Sequence, residues 1–238
     1  MVSTVIKNWD KDNWLSSKKY IYAFNNFILK QIKLEKHSRI LDIGCGRGKI
    51  IENLSERLRL INRPIGLDIE NHKDKSKKII FKKIDGLSFI SKTKITFDLI
   101  LIKQTIHLIK KKHIKNLLSI CKNRLNQNGK IIILSLDPIK NEIPTFALMK
   151  KKIIFSLGKD KKLFDILIKS NPKMITKKFN FQVNISKHKY IEMIKNRYIS
   201  TLLSFSEKQI TDGLSEIKKK YKKNIIFNDR LLCFIIKK

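Results

Sequence analysis

Three glycines at alternate positions stand beside an acidic residue in the first quarter of the chain. The stretch 42–48 reads D-I-G-C-G-R-G and follows the apolar residues Ile40 and Leu41. The whole chain has only 8 glycines, so their concentration here is notable. Glycine adopts backbone angles that other residues avoid, and it lets a ligand approach the main chain closely. This stretch is the first candidate for a ligand-binding loop.

The type of loop indicates the type of ligand. Dinucleotide-binding turns have the spacing G-x-G-x-x-G, which brings a pyrophosphate to a helix N-terminus. Here the spacing is G-x-G-x-G, and Asp42 lies two residues before the first glycine. A carboxylate in that place would repel a pyrophosphate, whereas it suits a ligand with an ammonium group, such as an amino acid.

The residues on either side of the loop predict how it is positioned. The apolar residues Ile40, Leu41 and Ile43 are typical of a short buried parallel strand, and apolar residues recur at helical spacing over 50–54. A strand, a glycine-rich loop and a helix in this order form a nucleotide-binding turn.

Two more acidic residues follow predicted strands. Asp68 ends the apolar stretch 65–69 and lies about 20 residues beyond the loop, where a carboxylate can accept both hydroxyls of a ribose. Asp85 and Gly86 follow a third apolar stretch, 79–84. Because the carboxyl ends of parallel strands meet at one edge of a sheet, we expect these acids and the loop to face one pocket.

A fourth predicted strand, 96–102, leads to the same edge. Lys103 and Gln104 follow it directly, next to the expected position of the glycine loop. His107 comes shortly afterwards, and imidazole titrates near neutral pH, so it is the best candidate for a general base. The alternative is that His107 only packs against its neighbours or contacts the bound ligand.

These motifs resemble those of class I S-adenosylmethionine-dependent methyltransferases. D-I-G-C-G-R-G is similar to the first motif of that family, and F-D-L-I-L at 97–101 resembles its fourth-strand motif. The resemblance implies a Rossmann-like, doubly wound α/β fold. Its seven-stranded sheet is mostly parallel with the last strand antiparallel, and helical elements cover it at both ends of the chain.

The same resemblance implies S-adenosyl-L-methionine as cofactor and assigns residues to it. Asp42 and the loop would hold its methionine part, Asp68 the ribose, and Asp85 the adenine, on which Ile69 would pack. The implied cofactor residues are Asp42, Gly44, Cys45, Gly46, Gly48, Asp68, Ile69, Asp85, Gly86, Lys103 and Gln104.

The chain is predicted to be a single methyltransferase domain over 1–238. It would consist of an N-terminal arm and helix (1–35), a cofactor-binding core (36–137), a substrate cover with helices (138–222) and a closing strand (223–238). In similar methyltransferases the N-terminal helix covers the cofactor, which implies that Trp14, Tyr20 and Tyr22 line the pocket. The alternative is an amphipathic helix that only packs on the sheet.

The cover region is the least regular part of the sequence. It predicts one helix from Pro144 to Phe155 and another from Lys161 to Ile168. Further on, N-R-Y-I-S at 196–200 resembles the C-terminal part of trans-aconitate methyltransferase-like enzymes. That similarity implies that Arg197 binds an acceptor carboxylate in a catalytic role; the alternative is a surface ion pair.

Composition excludes several classes of function. The net charge is +33, from 53 basic and 20 acidic residues, and most of the basic residues are lysines. Lysine, isoleucine and asparagine are enriched together, which indicates codon bias and a solvated surface with weak, salt-sensitive polyanion binding. The 3 cysteines and 5 histidines are scattered, so no disulfide framework or metal site is expected. No membrane span is predicted either, and we expect a cytoplasmic protein.

We therefore predict an enzyme that transfers a methyl group to a small molecule by in-line displacement, as a monomer or homodimer. Residues 104–107 stand where amino methylases carry an N-P-P-Y tetrad, and no RNA-binding domain is evident, which favours a small acceptor. Two alternatives stay open: an RNA methyltransferase that uses the basic surface, and a non-catalytic module that binds S-adenosylmethionine.

Overall fold

The computed structural model describes residues 13–238, which form an α/β fold around one seven-stranded sheet. The first five strands lie in the first 136 residues, and the last two follow a long helical segment. The strands are β1 (Ile40–Ile43), β2 (Ile65–Asp68), β3 (Ile80–Lys83), β4 (Phe97–Lys103), β5 (Leu125–Leu136), β6 (Ile175–Ser186) and β7 (Asn224–Lys237).

Helices connect the strands and cover both faces of the sheet. Ser17 caps the first helix, where its side chain accepts a hydrogen bond from the Tyr20 backbone N–H. The helices are α1 (Lys18–Leu29), α2 (Lys49–Leu58), α3 (Gly86–Lys92), α4 (Lys111–Asn123), α5 (Ala147–Ser170), α6 (Lys187–Lys195) and α7 (Glu207–Lys220). Short 3₁₀ helices lie at Trp14–Ser16, Ile106–Leu108 and Ser200–Ser204.

The strand order is β3-β2-β1-β4-β5-β7-β6. Strands β1 to β5 pair in parallel, and β7 is antiparallel to both of its neighbours, β5 and β6. The last strand in the chain is thus the antiparallel one, and the predicted fold class is confirmed. The carboxyl ends of β1 to β5 meet at one edge, where α/β sheets bind their ligands.

Two hydrophobic cores lie on opposite faces of the sheet. Helices α1, α2, α6 and α7 pack into one core, and α3 and α4 pack into the other. Helix α5 contributes to both: Met149, Ile153 and Leu157 belong to the first core, and Leu163 and Leu167 to the second. Because its two halves pack on opposite faces, α5 passes from one side of the sheet to the other.

The prediction of two separate helices in the cover region is wrong. The segment forms one 24-residue helix, α5, which continues through Gly158 and the basic run that follows it. A side chain at Gly158 would face open space, and the side chains of Lys159, Lys161 and Lys162 are exposed. Buried residues continue on either side, so packing of the apolar face outweighs the weak helix propensity of glycine.

None of the helices within residues 13–238 is both long and apolar enough to cross a bilayer. Cys121 and Cys233 are buried free thiols. In this same part of the chain, no three His, Cys, Asp or Glu side chains cluster as metal ligands would.

Candidate active site

A cavity of about 920 Å³ follows the carboxyl edge of the sheet from the end of β3 to β7. Such a volume is at the upper end of the range for small-molecule sites. Six of the predicted cofactor residues line it: Gly44, Asp68, Ile69, Asp85, Gly86 and Gln104. The structure thus brings the glycine loop and two of the three predicted acids to one cavity.

The glycine loop is anchored to the neighbouring strand by its main chain. The backbone N–H groups of Gly44 and Cys45 donate to the carbonyl of Leu67, at 2.8 and 2.9 Å. Gly44 has φ +78°, and a Cβ there would overlap the side chain of Thr105. Both the backbone angle and the space therefore require glycine at this position. Cys45, Gly46 and Gly48 belong to the same loop but do not line the cavity within the described chain.

Asp68 joins the loop to the end of β2. One carboxylate oxygen accepts from the Gly46 N–H at 2.9 Å, and the other accepts from the Glu70 N–H at 3.0 Å. The Nε2 atom of His72 lies 3.5 Å from the first oxygen. Burial acts to raise the Asp68 pKa, but these donors outweigh it and the pKa is below its usual value. The cavity therefore holds an ionised carboxylate that is already oriented.

Asp85 and Gly86 lie where β3 leads into α3. Asp85 is the N-cap of the helix and accepts a hydrogen bond from the Ser88 N–H at 3.0 Å. Gly86 packs so closely on β1 that a Cβ would overlap Ile43. Ile69 is 54% exposed and offers an apolar surface on the same side of the cavity. The Asp85 carboxylate and the exposed apolar side chain of Ile69 suit the flat base of a nucleoside at this end of the cavity.

The side chains of Gln104 and Lys103 lie in different environments at the end of β4. Gln104 has φ +51°, donates its N–H to the Leu134 carbonyl at 2.7 Å and lines the cavity. Lys103 instead is buried, with its ammonium 5.4 Å from the ring centre of Tyr20 and 5.6 Å from that of Phe24. The left-handed backbone at Gln104 is what turns the chain towards the cavity.

Asp42 also lies outside the cavity lining, on the face of β1 that packs against α1. It is 3% exposed, and its Oδ1 atom has no hydrogen-bond partner within residues 13–238. Burial raises its pKa to about 7, the positive charge of Lys103 partly opposes that rise, and the negative charge of Asp68 adds to it. Asp42 thus adjoins the loop without reaching the cavity surface.

His107 lies on the 3₁₀ helix after β4, and its side chain lines the cavity. The surrounding protein lowers the pKa of His107 below its usual value, and the Asp160 carboxylate on α5 partly counteracts this. Burial in turn raises the pKa of Asp160. The imidazole is therefore neutral at neutral pH and is able to accept a proton.

Arg197 does not line the cavity of the described chain. Its guanidinium donates to the carbonyls of Leu202 and Phe205 at 2.6 and 2.7 Å, and to Glu207 at 2.6 Å. Its backbone has φ +50°, just beyond the end of α6. These contacts fasten the turn after the helix, so the structure gives no support to the predicted role on an acceptor carboxylate.

The N-terminal aromatic residues are divided among three environments. Trp14 lines the cavity, Tyr20 is fully buried beneath it, and Tyr22 is 56% exposed with the Arg57 guanidinium over its ring. Only Trp14 therefore has the position that the resemblance implied for all three.

Three cavity residues have no signal in the sequence motifs: His72, Asp160 and Asp229. Asp229 lies on β7, and its carboxylate accepts a hydrogen bond from the Trp14 indole at 3.1 Å. In the sequence, Asp229 is only an acidic residue within a strand near the other end of the chain. Its position at the cavity follows only when the strand order of the sheet is known. Alternation along β7 offers the one usable clue, since Asp229 falls on the inward-facing positions.

This geometry defines a class I methyltransferase fold with its glycine loop and strand-end acids facing one cavity. A family profile described as a methyltransferase domain matches residues 18–148, more than half of the chain. The chain therefore belongs to the methyltransferase-domain family and is an S-adenosylmethionine-dependent methyltransferase.

Solved structures agree on the fold. A protein of Anabaena variabilis, assigned as a methyltransferase of an antibiotic biosynthesis pathway, has a TM-score of 0.64 at 14% identity, covering 89% of this chain and 96% of its own. The plantazolicin methyltransferase BpumL, solved with a pentazolic desmethylPZN analogue and SAH, has a TM-score of 0.53 at 18% identity, covering 97% and 88%.

A third solved structure, a SAM-dependent methyltransferase from Archaeoglobus fulgidus, has a TM-score of 0.51 at 19% identity, covering 92% of this chain and 94% of its own. No curated protein sequence matches the chain significantly. At these identities the structural likeness establishes the fold alone, and the acceptor has to be argued from the cavity.

Proposed function

We propose that this enzyme methylates a small molecule that enters the cavity beside the cofactor. The observation that carries the proposal is the extent of the cavity, which continues from the glycine loop and Asp68 past His107 to Trp14 and Asp229. A nucleoside cofactor would occupy only its first part. The remaining part is enclosed by α5 and by residues after α6, as a site for a small acceptor requires.

The residues at the loop end fit S-adenosylmethionine. Asp68 is ionised and oriented, so its carboxylate suits the two ribose hydroxyls, and Asp85 with Ile69 suits the adenine. Gly44 leaves the main chain bare beside Thr105, where the methionine part would lie. The cofactor supplies a methyl group on a sulfonium, which is already a good leaving group.

The protein then has to align the acceptor, exclude water and, for a protonated acceptor, remove a proton. His107 is our candidate for the proton acceptor because it lines the middle of the cavity and its depressed pKa keeps it neutral. Desolvation beneath α5 would strengthen each polar contact that the acceptor makes.

Calorimetry with SAH, the cofactor product, tests the cofactor assignment. Replacing Asp68 by Ala should weaken SAH binding by about a hundredfold or more, since charge-assisted hydrogen bonds to two hydroxyls are lost. Asp68→Asn keeps one acceptor oxygen for the Gly46 N–H and guards against a merely misfolded loop. The exposed Asp165→Ala serves as a control of equal charge change. Unchanged SAH affinity in both Asp68 variants would refute the assignment.

RNA is the second candidate acceptor, favoured only by the net charge of +33. Filter binding at two salt concentrations separates the two functions. An RNA enzyme should keep its preference for one structured RNA at physiological salt, whereas a lysine-rich surface should lose RNA binding there. Methyl release from labelled cofactor in the presence of a metabolite library would separate an enzyme from a binding module.

A further inference from the structure

Three buried charged residues share one face of the sheet. Ile40, Leu99 and Cys233 belong to the core beneath α1, so alternation places Asp42 of β1 and Lys103 of β4 on that face as well. Asp229 of β7 is an even number of residues from Cys233, so its side chain lies on the same face of the sheet. All three side chains are buried; burial raises the pKa of both carboxyl groups, and the positive charge of Lys103 partly opposes that rise.

Only Asp229 of this group opens into the cavity. Its Oδ2 atom accepts a hydrogen bond from the Trp14 indole, and the buried Tyr20 hydroxyl is the second side-chain donor beside the carboxylate. The side chain is 1% exposed, so bulk water does not screen its charge. A buried carboxylate charge is costly unless it is paired, and a cationic ligand that pairs with it recovers part of that free energy on binding.

The surroundings of Asp229 indicate which donor fits. Trp14 and Tyr198 both line this end of the cavity, with ring centres 5.5 Å apart and planes at 67°. Ser200 and Thr201 add hydroxyl groups beside them. Aromatic rings next to a carboxylate form a favourable environment for a cationic nitrogen, because ring quadrupole and charge both attract it.

We propose that this end of the cavity binds a cationic nitrogen group of the acceptor, an amine or a guanidinium, with Asp229 as its counter-ion. The inference rests on the proposed function and specifies its acceptor class. Three strands separate β7 from β2, which carries Asp68, so this end lies away from the predicted ribose site. An anionic acceptor would face a carboxylate here, because Lys103, the cation that acts on Asp229, is buried and does not line the cavity of the described chain.

The experiment compares three probes that share one phenol ring and differ in charge. Tyramine is a cation, 4-ethylphenol is neutral, and 3-(4-hydroxyphenyl)propionate is an anion. Each is titrated by calorimetry into SAH-saturated protein, and in a Trp9→Phe background, where Trp14 is the remaining indole, fluorescence reports the site directly. Tyramine should bind about tenfold or more tightly than either analogue.

The Asp229→Asn variant should remove this charge preference. Its amide oxygen still accepts from the Trp14 indole, so packing is conserved while the charge is lost. SAH affinity should stay within about threefold of wild type, which separates this test from that of the cofactor site. Asp165→Asn, an exposed carboxylate on α5, should leave every affinity unchanged.

Three results would overturn the inference. The first is wild-type protein that binds SAH but binds tyramine no better than 4-ethylphenol, or not at all. The second is an Asp229→Asn variant that keeps the preference for tyramine. The third is a tenfold or larger loss of SAH affinity in that variant, which would place Asp229 against the cofactor. Should the variant fail to fold, the wild-type comparison of the probes still decides. A chain that does not bind SAH would instead refute the proposed function.

Discussion

Replacing Asp42 by Asn should change how stability depends on pH. The Asp42 pKa is about 7 in the folded chain, against a usual value of 3.8. A folded-state pKa above the unfolded value means that the folded protein binds the proton more tightly. Stability from this group is therefore full below pH 3.8 and is lost as pH rises towards 7.

The magnitude follows from the shift. Each pKa unit corresponds to about 1.4 kcal/mol, so between pH 5 and pH 8 the wild type should lose about 2.5 kcal/mol through Asp42 alone. The side chain is only 3% exposed, so solvent screening reduces this value little. Asparagine has no charge to bury and should show none of this loss.

Urea unfolding, followed by tryptophan fluorescence at pH 5 and pH 8, measures the difference. The quantity of interest is the change in unfolding free energy between the two pH values in the wild type, minus the same change in Asp42→Asn. Other titrating groups contribute to both proteins and largely cancel. The exposed Asp165→Asn control should differ from wild type by less than about 0.5 kcal/mol at either pH. If the wild type and Asp42→Asn lost stability in parallel, the buried, high-pKa carboxyl would be refuted.

Further predictions concern His107, Gly44 and Arg197. If His107 is the general base, the wild-type methyl-transfer rate should decrease at pH values below the lowered pKa of His107 and stay level from pH 7 to 9. The His107→Gln variant should not show this decrease at low pH. If the wild type and the variant had the same pH–rate profile, His107 would be excluded as the base. Gly44→Ala should lose about 1–3 kcal/mol of stability from its left-handed backbone and overlap with Thr105, and Gly44→Ala/Thr105→Ala should recover only part of it by chemical denaturation. Arg197→Met should unfold about 1–3 kcal/mol more easily because two carbonyls lose their donor, while SAH affinity by calorimetry stays unchanged; a selective loss of SAH affinity would contradict this.

The loop end of the site could be predicted from sequence because its parts are local. Gly44 follows β1 and Asp68 ends β2, and one helix joins the two strands. The rule that parallel strands share an edge then places both residues together without further information. The same rule placed Asp85 and Gln104 correctly at the cavity. It gave no account of Asp42, because which face of a strand a side chain takes depends on the packing of α1.

Arg197 shows the limit of inferring a residue's role from a short resemblance. The stretch N-R-Y-I-S at 196–200 predicted a contact between Arg197 and an acceptor carboxylate. The carbonyls of Leu202 and Phe205 needed a donor, and a planar guanidinium with several N–H groups supplies it. These hydrogen bonds to nearby backbone carbonyls, which the composition of the chain does not reveal, explain Arg197 without a bound acceptor.

The acceptor end of the cavity could not be predicted because its contacts are long-range. Trp14 and Asp229, whose side chains are hydrogen-bonded there, are 215 positions apart in sequence. Their meeting depends on the register of β7 against β5 and β6, and a slip of one residue would turn Asp229 to the opposite face. Residues at this end are also separate from the glycine loop and its anchoring bonds. Under our proposal, substitution at Asp229 or Tyr198 should therefore alter which acceptor binds while the local cofactor motif stays intact, because the proposed acceptor contacts lie in the part of the chain that short sequence motifs do not describe.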